Sequence, residues 1–242
     1  MPVDMPVTNR ENSNAPSELA SLENIKARLK SACLRARRGP DEVWLVGAAK
    51  TVPAVRLIPF LKNGLQHVGE NYIQEGIVKK RDAQDVKNVS WHFIGALQSN
   101  KAREAVEHFD YIHSIDRPSL ITAVNKAAAQ INKIQNVLLQ VNLGDEHSKA
   151  GCAPEDALSL ASSIRQHSNL NLCGLMCLPP YHEESEAMRP YFVSLKDLRD
   201  EIARVNGQKL PHLSMGMSND FEIAIEEGAT MVRLGTSLFG ER

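Results

Sequence analysis

Eight short apolar runs, each followed by a stretch of helical periodicity, recur along most of this 242-residue chain. They fall at 43–49, 67–69, 91–94, 111–114, 136–142, 170–176, 212–214 and 230–234. The first contains Val43-Trp44-Leu45-Val46-Gly47 and lies between Gly39-Pro40 and Pro53. It is too short for a helix and reads as a strand buried on both faces, as in a parallel sheet. Helical stretches fill the intervals at 53–63, 73–84, 98–108, 118–132, 154–167, 183–206 and 219–227. Pro53, Pro118 and Pro154 at their starts, with Gly64 and Gly228 just past two ends, are the start and stop signals such helices use. Strands alternating with helices predict right-handed βαβ units. The count of eight predicts the α/β class and a single (β/α)8 barrel over residues 17–242. No G-x-G-x-x-G follows the first strand, which argues against a doubly wound sheet. An amphipathic helix over 17–38, with Ser17 as N-cap and Leu19, Leu22, Ile25, Leu29 and Ala32 at helical spacing, is expected to flank the barrel. Residues 1–16, polar and Pro-containing, read as a disordered tail.

Composition narrows the function classes. Hydrophobic residues are 43% of the chain, enough for one sizeable core, and a formal net charge of −1 provides no broad field for nucleic acid or an anionic membrane. No apolar run approaches the roughly 20 residues of a membrane span. The N-terminal stretch lacks the apolar segment of a secretory signal, so a cytoplasmic protein, monomeric by default, is expected. Cys33, Cys152, Cys173 and Cys177 form no C-x-x-C pair and are expected as reduced thiols partly in the core, with no metal site.

The first predicted strand leads into Lys50. In a parallel barrel that residue stands at a carboxyl strand end, on the face that carries the chemistry. A partly desolvated lysine amine is a nucleophile able to form a Schiff base with an aldehyde. Two further strand ends carry anion-binding features: Ser214-Met215-Gly216-Met217-Ser218 after the seventh and Gly235-Thr236 after the eighth. Barrels often bind phosphate there. Glycine lets an anion approach the backbone, and hydroxyls donate to it. Either loop alone also reads as an ordinary turn. With Lys50 they point to a phosphate-bearing aldehyde, pyridoxal 5'-phosphate (PLP). Arg233, inside the eighth run, needs a partner. A carboxylate is the ordinary one; the pyridine nitrogen of PLP is the other, and it would stay unprotonated beside a guanidinium. Trp91 and His92 are expected as core packing. Residues 98–101 either line the mouth or cap a helix. Glu183, Glu184 and Glu186 are expected as a solvated helix start, and Asn219 with Glu222 as a capping box.

Eight blocks then stand in order: Ala49-Lys50-Thr51, Val68-Gly69-Glu70-Asn71-Tyr72, Trp91-His92-Phe93-Ile94-Gly95, Leu97-Gln98-Ser99-Asn100-Lys101, Ser148-Lys149-Ala150-Gly151, Gly174-Leu175-Met176, Leu213-Ser214-Met215-Gly216-Met217-Ser218-Asn219-Asp220 and Val232-Arg233-Leu234-Gly235-Thr236. Together they resemble the pyridoxal phosphate homeostasis protein family over nearly the whole chain. The resemblance implies a barrel like the N-terminal domain of alanine racemase, PLP binding and a part in vitamin B6 homeostasis, with no established catalytic reaction. PLP-dependent apoenzymes are the implied transient partners. It assigns the Schiff base to Lys50, phosphate contacts to Ser214, Gly216, Ser218, Gly235 and Thr236, and the ring-nitrogen contact to Arg233. Asn71 and Met217 complete the implied cofactor-binding set. Two departures are visible: Ala48-Ala49 precedes the lysine where Val-Ser is common, and Ala96 replaces a usual Pro. Neither removes a cofactor contact.

A PLP-dependent amino-acid racemase is the alternative. It needs an acid or base on each face of the substrate carbon, and Lys50 serves one. The alanine racemase family takes the opposing tyrosine from an extra β-domain, and none of Tyr72, Tyr111, Tyr181 and Tyr191 is clearly placed for that role in these 242 residues. A Schiff-base aldolase or phosphosugar barrel without PLP is a third reading.

Overall fold

The computed structural model describes residues 15–144, 150–180 and 182–240. Eight parallel strands close into a barrel in chain order. They are β1 Trp44–Ala48, β2 His67–Glu70, β3 Ser90–Phe93, β4 Tyr111–Ile115, β5 Gln135–Val141, β6 Leu170–Cys177, β7 His212–Ser214 and β8 Met231–Leu234. Val46 pairs with His67 on one side and Arg233 on the other, which closes the cylinder. Helix α1, Ala15–Arg35, comes before β1. Helices α2 Ala54–Lys62, α3 Ile73–Asp82, α4 Ala102–His108, α5 Pro118–Gln130, α6 Pro154–Arg165, α7 Arg189–Asn206 and α8 Phe221–Glu226 follow the first seven strands, and a short α9, Thr236–Phe239, follows β8. The predicted (β/α)8 architecture with a flanking helix is the architecture found.

Some local expectations give way to tertiary contacts. Helix α1 begins at Ala15, so Ser17 is not its cap. Residues 1–14 of the expected tail, Ser148, Lys149 and Tyr181 lie outside the described residues. The stretch expected as one helix from 183 starts as a 3-10 turn, Ser185–Met188, before α7; Glu183 and Glu184 stay outside it, and Glu186 pairs with Arg189 at 2.8 Å. No capping box forms at Asn219. Helix α8 starts at Phe221, Asp220 Oδ1 accepts the Met217 N–H at 2.6 Å, and Glu222 pairs with Arg28 of α1 at 2.7 Å. A cation across the helix interface outcompetes the local backbone for that carboxylate. Residues 99–101 form a 3-10 turn ahead of α4, outside the cavity described below.

Helix α1 seals the seam between the ends of the chain. Leu22, Ile25, Leu29 and Ala32 are buried on one face. Ser21 donates to the Leu238 carbonyl of α9 at 2.6 Å, and Arg38, just beyond α1, donates to the Ile225 and Ala229 carbonyls at the end of α8. All four cysteines are buried free thiols.

The barrel interior has a character of its own. Outward strand residues such as Leu45, Leu213 and Val232 join the core beneath the helices, whereas Val46, Leu138, Met176 and Met231 form a separate inner cluster with Trp44 and Tyr111 against it. Bulky aliphatic residues usually fill such barrels. Here a file of polar groups runs through the centre. Arg233 Nη1 donates to Ser214 Oγ at 2.6 Å; Ser214 Oγ lies 3.0 Å from His113 Nδ1; His113 Nε2 lies 2.9 Å from His92 Nδ1; His92 Nε2 lies 3.1 Å from His67 Nδ1. The expected core packing at His92 is thus one link in this file, with Trp91 in the outer core. His67 stacks on Trp44 at 4.4 Å and opens to a cleft at the amino end of the barrel.

The file has one allowed direction. Ser214 is fully buried, and among the described residues its hydroxyl contacts only Arg233 and His113. Arginine only donates, so it takes an oxygen lone pair. The hydroxyl proton then has one acceptor, Nδ1 of His113, which leaves the His113 proton on Nε2. The same reasoning places the His92 proton on Nε2. The reverse direction would strand a buried hydroxyl proton, at a cost of about 1–3 kcal/mol. Burial holds the pKa values of His92 and His113 well below the ordinary range, helped at His92 by His113 and at His113 by Arg233. Burial likewise lowers His67 and His212 to about 4.

Two outcomes follow. Nitrogen-15 NMR at pH 7 will show His92 and His113 neutral and protonated on Nε2; an Nδ1-protonated signal from either would reverse the file. The folded pKa values of His67 and His212 lie below the unfolded value of 6.5, so the unfolded chain takes up protons first on acidification. Their contribution is flat above pH 6.5 and is lost between pH 6.5 and about 4. Urea midpoints across this window will fall less steeply for His67→Asn than for the parent protein.

Candidate cofactor site

Strand alternation decides which way Lys50 faces. Val46 points into the barrel, and so, two and four residues on, do Ala48 and Lys50. A cavity of about 380 Å3 opens at the carboxyl ends of the strands, a volume suited to a small ligand. Ala48 and Lys50 line it from the end of β1, Asn71 from the end of β2, Met217 and Ser218 from the loop after β7, and Arg233, Gly235 and Thr236 from β8 and beyond. Leu178, Pro180 and Met188 form an apolar wall. Seven of the nine residues expected from the sequence therefore meet in one cavity; Ser214 and Gly216 are not on its wall.

Those two residues serve Arg233 instead. Besides Ser214 Oγ, the guanidinium donates through Nη2 to the Cys177 carbonyl at 2.8 Å, and the Arg233 backbone N–H donates to the Gly216 carbonyl at 3.0 Å. Gly216 holds φ at +91°, and a Cβ there would lie 2.6 Å from the Cβ of Ala224. The carboxylate partner weighed for Arg233 is not found: among the described residues it makes no ion pair, although it is 4% exposed. Arginine carries five N–H donors, so these two bonds leave donors to spare at the cavity. Asp220 also lines the cavity; burial raises its carboxyl pKa, with the Met217 N–H and Arg233 opposing.

Hydroxyl groups gather on the opposite side of the loop pair. Thr236 Oγ1 lies 3.3 Å and Ser237 Oγ 3.0 Å from Ser218 Oγ. Asn71 reaches the rim because residue 95 is glycine: a Cβ there would stand 2.3 Å from the Asn71 carbonyl oxygen.

Three residues that the sequence did not single out surround the backbone of Lys50. Strand β2 runs one residue further than expected and ends on Glu70, which is fully buried. Lys79, on the buried face of α3, donates to Glu70 Oε1 at 2.7 Å and to the Ala49 carbonyl at 2.6 Å. Glu75 accepts from Lys79 at 3.2 Å and from the Thr51 N–H at 2.9 Å. The one signal available was the Glu75–Lys79 spacing of four, which puts the pair on one face of α3. Nothing local separates it from a solvated surface pair. Among the described residues, no group of three or more His, Cys, Asp or Glu could hold a metal ion, and no helix is long and apolar enough to cross a membrane.

Comparison with known proteins bears on the family and the fold. Residues 20–242 match the family described as alanine racemase, N-terminal domain. The pyridoxal phosphate homeostasis protein of Aquifex aeolicus is 47% identical over 221 residues, covering 91% of this chain and 96% of that one. PipY of Synechococcus elongatus, solved without PLP and with PLP bound, is 36% identical, with TM-scores of 0.80 and 0.79 over 89% of this chain and all of that one. An alanine racemase of Clostridium difficile shares the fold at 12% identity and a TM-score of 0.66, with 57% of its length matched. The family match over residues 20–242 and identities of 40–47% over almost the full length place this chain in the pyridoxal phosphate homeostasis protein family, within the wider family of alanine racemase N-terminal domains.

Proposed function

We propose that this protein holds PLP in the cavity at the mouth of the barrel, attached to Lys50, and serves intracellular PLP homeostasis as a carrier. One observation carries the reading. A lysine, a buried arginine with no direct ion pair among the described residues and a pair of hydroxyl-bearing loops line the same small cavity. They correspond to an aldehyde, a pyridine nitrogen and a phosphate. When bound, PLP supplies an aldehyde electrophile on a heteroaromatic ring. Lys50 Nζ bonds to the aldehyde carbon, and the carbonyl oxygen leaves as water. Arg233 donates a spare N–H to the ring nitrogen and keeps it unprotonated; Ser214, His113 and the Cys177 carbonyl hold the guanidinium for that contact. Ser218, Gly235 and Thr236 receive the phosphate. Asn71 and Met217 flank the ring. Ser214 and Gly216, assigned to phosphate by resemblance, act here through Arg233.

Carriage is favoured over racemisation by where the described tyrosines lie, Tyr181 being outside the described residues. Tyr72 is 58% exposed, Tyr111 stacks on His92 inside the barrel and Tyr191 packs against the core, so among the described residues no tyrosine lines the cavity. An unprotonated ring nitrogen also makes PLP a weaker electron sink. The naming of the relatives and the PLP-bound PipY support the same reading. We place the protein in the cytoplasm as a monomer that passes PLP to apoenzymes in transient encounters.

Borohydride will trap labelled PLP on Lys50 in the parent protein and on no residue of this cavity in Lys50→Ala; undiminished trapping in that variant would sink the assignment. Arg233→Met removes a charge-assisted hydrogen bond of about 1.5–3 kcal/mol, so PLP affinity will fall about 10- to 100-fold by spectroscopic titration. Ser218→Ala and Thr236→Val will weaken binding of phosphorylated vitamers without affecting pyridoxal. In deuterated water, α-proton exchange of L-alanine will stay at background; Lys50-dependent exchange would favour the racemase.

A further inference from the structure

The backbone on both sides of Lys50 is held by one buried cluster. Lys79 Nζ grips the Ala49 carbonyl directly at 2.6 Å. Through Glu75 Oε2, at 3.2 Å from its nitrogen, it also holds the Thr51 N–H, which donates to that oxygen at 2.9 Å. The two backbone groups that bracket the lysine are thus referred to a single ammonium. Thr51 is the residue that needs such restraint. Its φ is +63°, in the left-handed region. That conformation costs an L-residue about 1–2 kcal/mol, and a β-branched side chain is rarely found there. Strain of this kind persists where the surroundings over-determine it, and it gathers at functional sites.

The cluster is a costly way to hold a fold together. The Lys79 side chain is 6% exposed and that of Glu70 is fully buried. Buried ion pairs seldom stabilise more than well-packed apolar groups of the same volume. Glu70 Oε2 has no hydrogen-bond partner among the described residues. Burial pushes the Glu70 carboxyl up to about 7, against the pull of Lys79. A proton on that unpaired oxygen leaves the Lys79 ammonium balanced by the Glu75 carboxylate, the pair that spans Lys50.

We propose that Lys79 and Glu75 are positioning residues for Lys50: they hold the backbone of residues 49–51 in the conformation that sends the Lys50 side chain into the cavity. The proposal rests on the attachment of PLP to Lys50. Without the pair, Thr51 relaxes to an unstrained region and the rotation carries the amine off its approach line. A misplacement on the ångström scale is enough to cost a reacting group up to about 100-fold.

The test compares PLP with pyridoxine 5'-phosphate, which carries an alcohol in place of the aldehyde. It uses Glu75→Leu, Glu75→Gln and Lys79→Met. Glu75 is 36% exposed in its side chain, and in Glu75→Leu the buried Lys79 ammonium keeps Glu70 at 2.7 Å, then held as the carboxylate, so the variant will fold. In Glu75→Leu and Lys79→Met the preference for PLP over pyridoxine 5'-phosphate will drop about 10- to 100-fold, and the Thr51 amide will exchange faster with deuterium. Binding of pyridoxine 5'-phosphate itself will not change. Glu75→Gln, whose amide oxygen still accepts from Thr51, will restore most of the preference. If both ligands weaken in step, or if preference and Thr51 protection survive in Glu75→Leu and Lys79→Met, the positioning role is wrong while the carrier function stands. If the parent protein shows no preference for PLP and no trapped adduct, the functional reading fails first.

Discussion

A buried guanidinium that makes no direct ion pair among the described residues lines the cavity, and much of the barrel interior is arranged around it. Removing that charge from water is expensive unless something oriented faces it. A carboxylate in direct contact would use up its donors, whereas Asp220 acts on it through space without a hydrogen bond. Instead Arg233 meets a serine oxygen and a backbone carbonyl, and behind the serine stand three histidines in a file. Each member turns its acceptor toward the cation, so a series of neutral dipoles takes the place of a direct ion pair. Chains of this kind strengthen their own links. The arrangement keeps the charge available to whatever enters the cavity.

Closure of the barrel makes the site possible. Lys50 lies near the start of the chain and Arg233 near its end, and they share a cavity because β1 pairs with β8. Helix α1 reinforces this seam through Leu22 and Ile25 and through hydrogen bonds from Ser21 to α9 and from Arg28 to α8. The most N-terminal helix therefore acts on the site without touching it. The wall of α3 does similar work on the other flank, where Lys79 ties the end of β1 to the end of β2.

Much of this was visible in residue order. Short apolar runs spaced by helical stretches imply a parallel barrel, because period and length are local properties. Lys50 at one strand end and Ser218 and Thr236 beyond two others were visible for the same reason: strand ends of a barrel share one face. Other features were not. Ser214 read as a phosphate ligand because serine beside glycine looks the same whether it faces a ligand or an arginine. Glu222 read as a cap because Arg28, far away in the chain, cannot be seen from its neighbours. His113 gave no local signal at all, since its partners come from β3 and β7.

The sequence by itself determined the number and order of strands, the place of Lys50 at a strand end and the glycine and hydroxyl loops, since each depends on residues a few positions apart. Only the tertiary structure decided that Arg233 makes no direct ion pair, that its neighbours form a one-way file, and that Lys79 and Glu75 bracket Lys50. Those contacts join elements brought together by barrel closure and helix packing, and their energies depend on burial that no local pattern encodes.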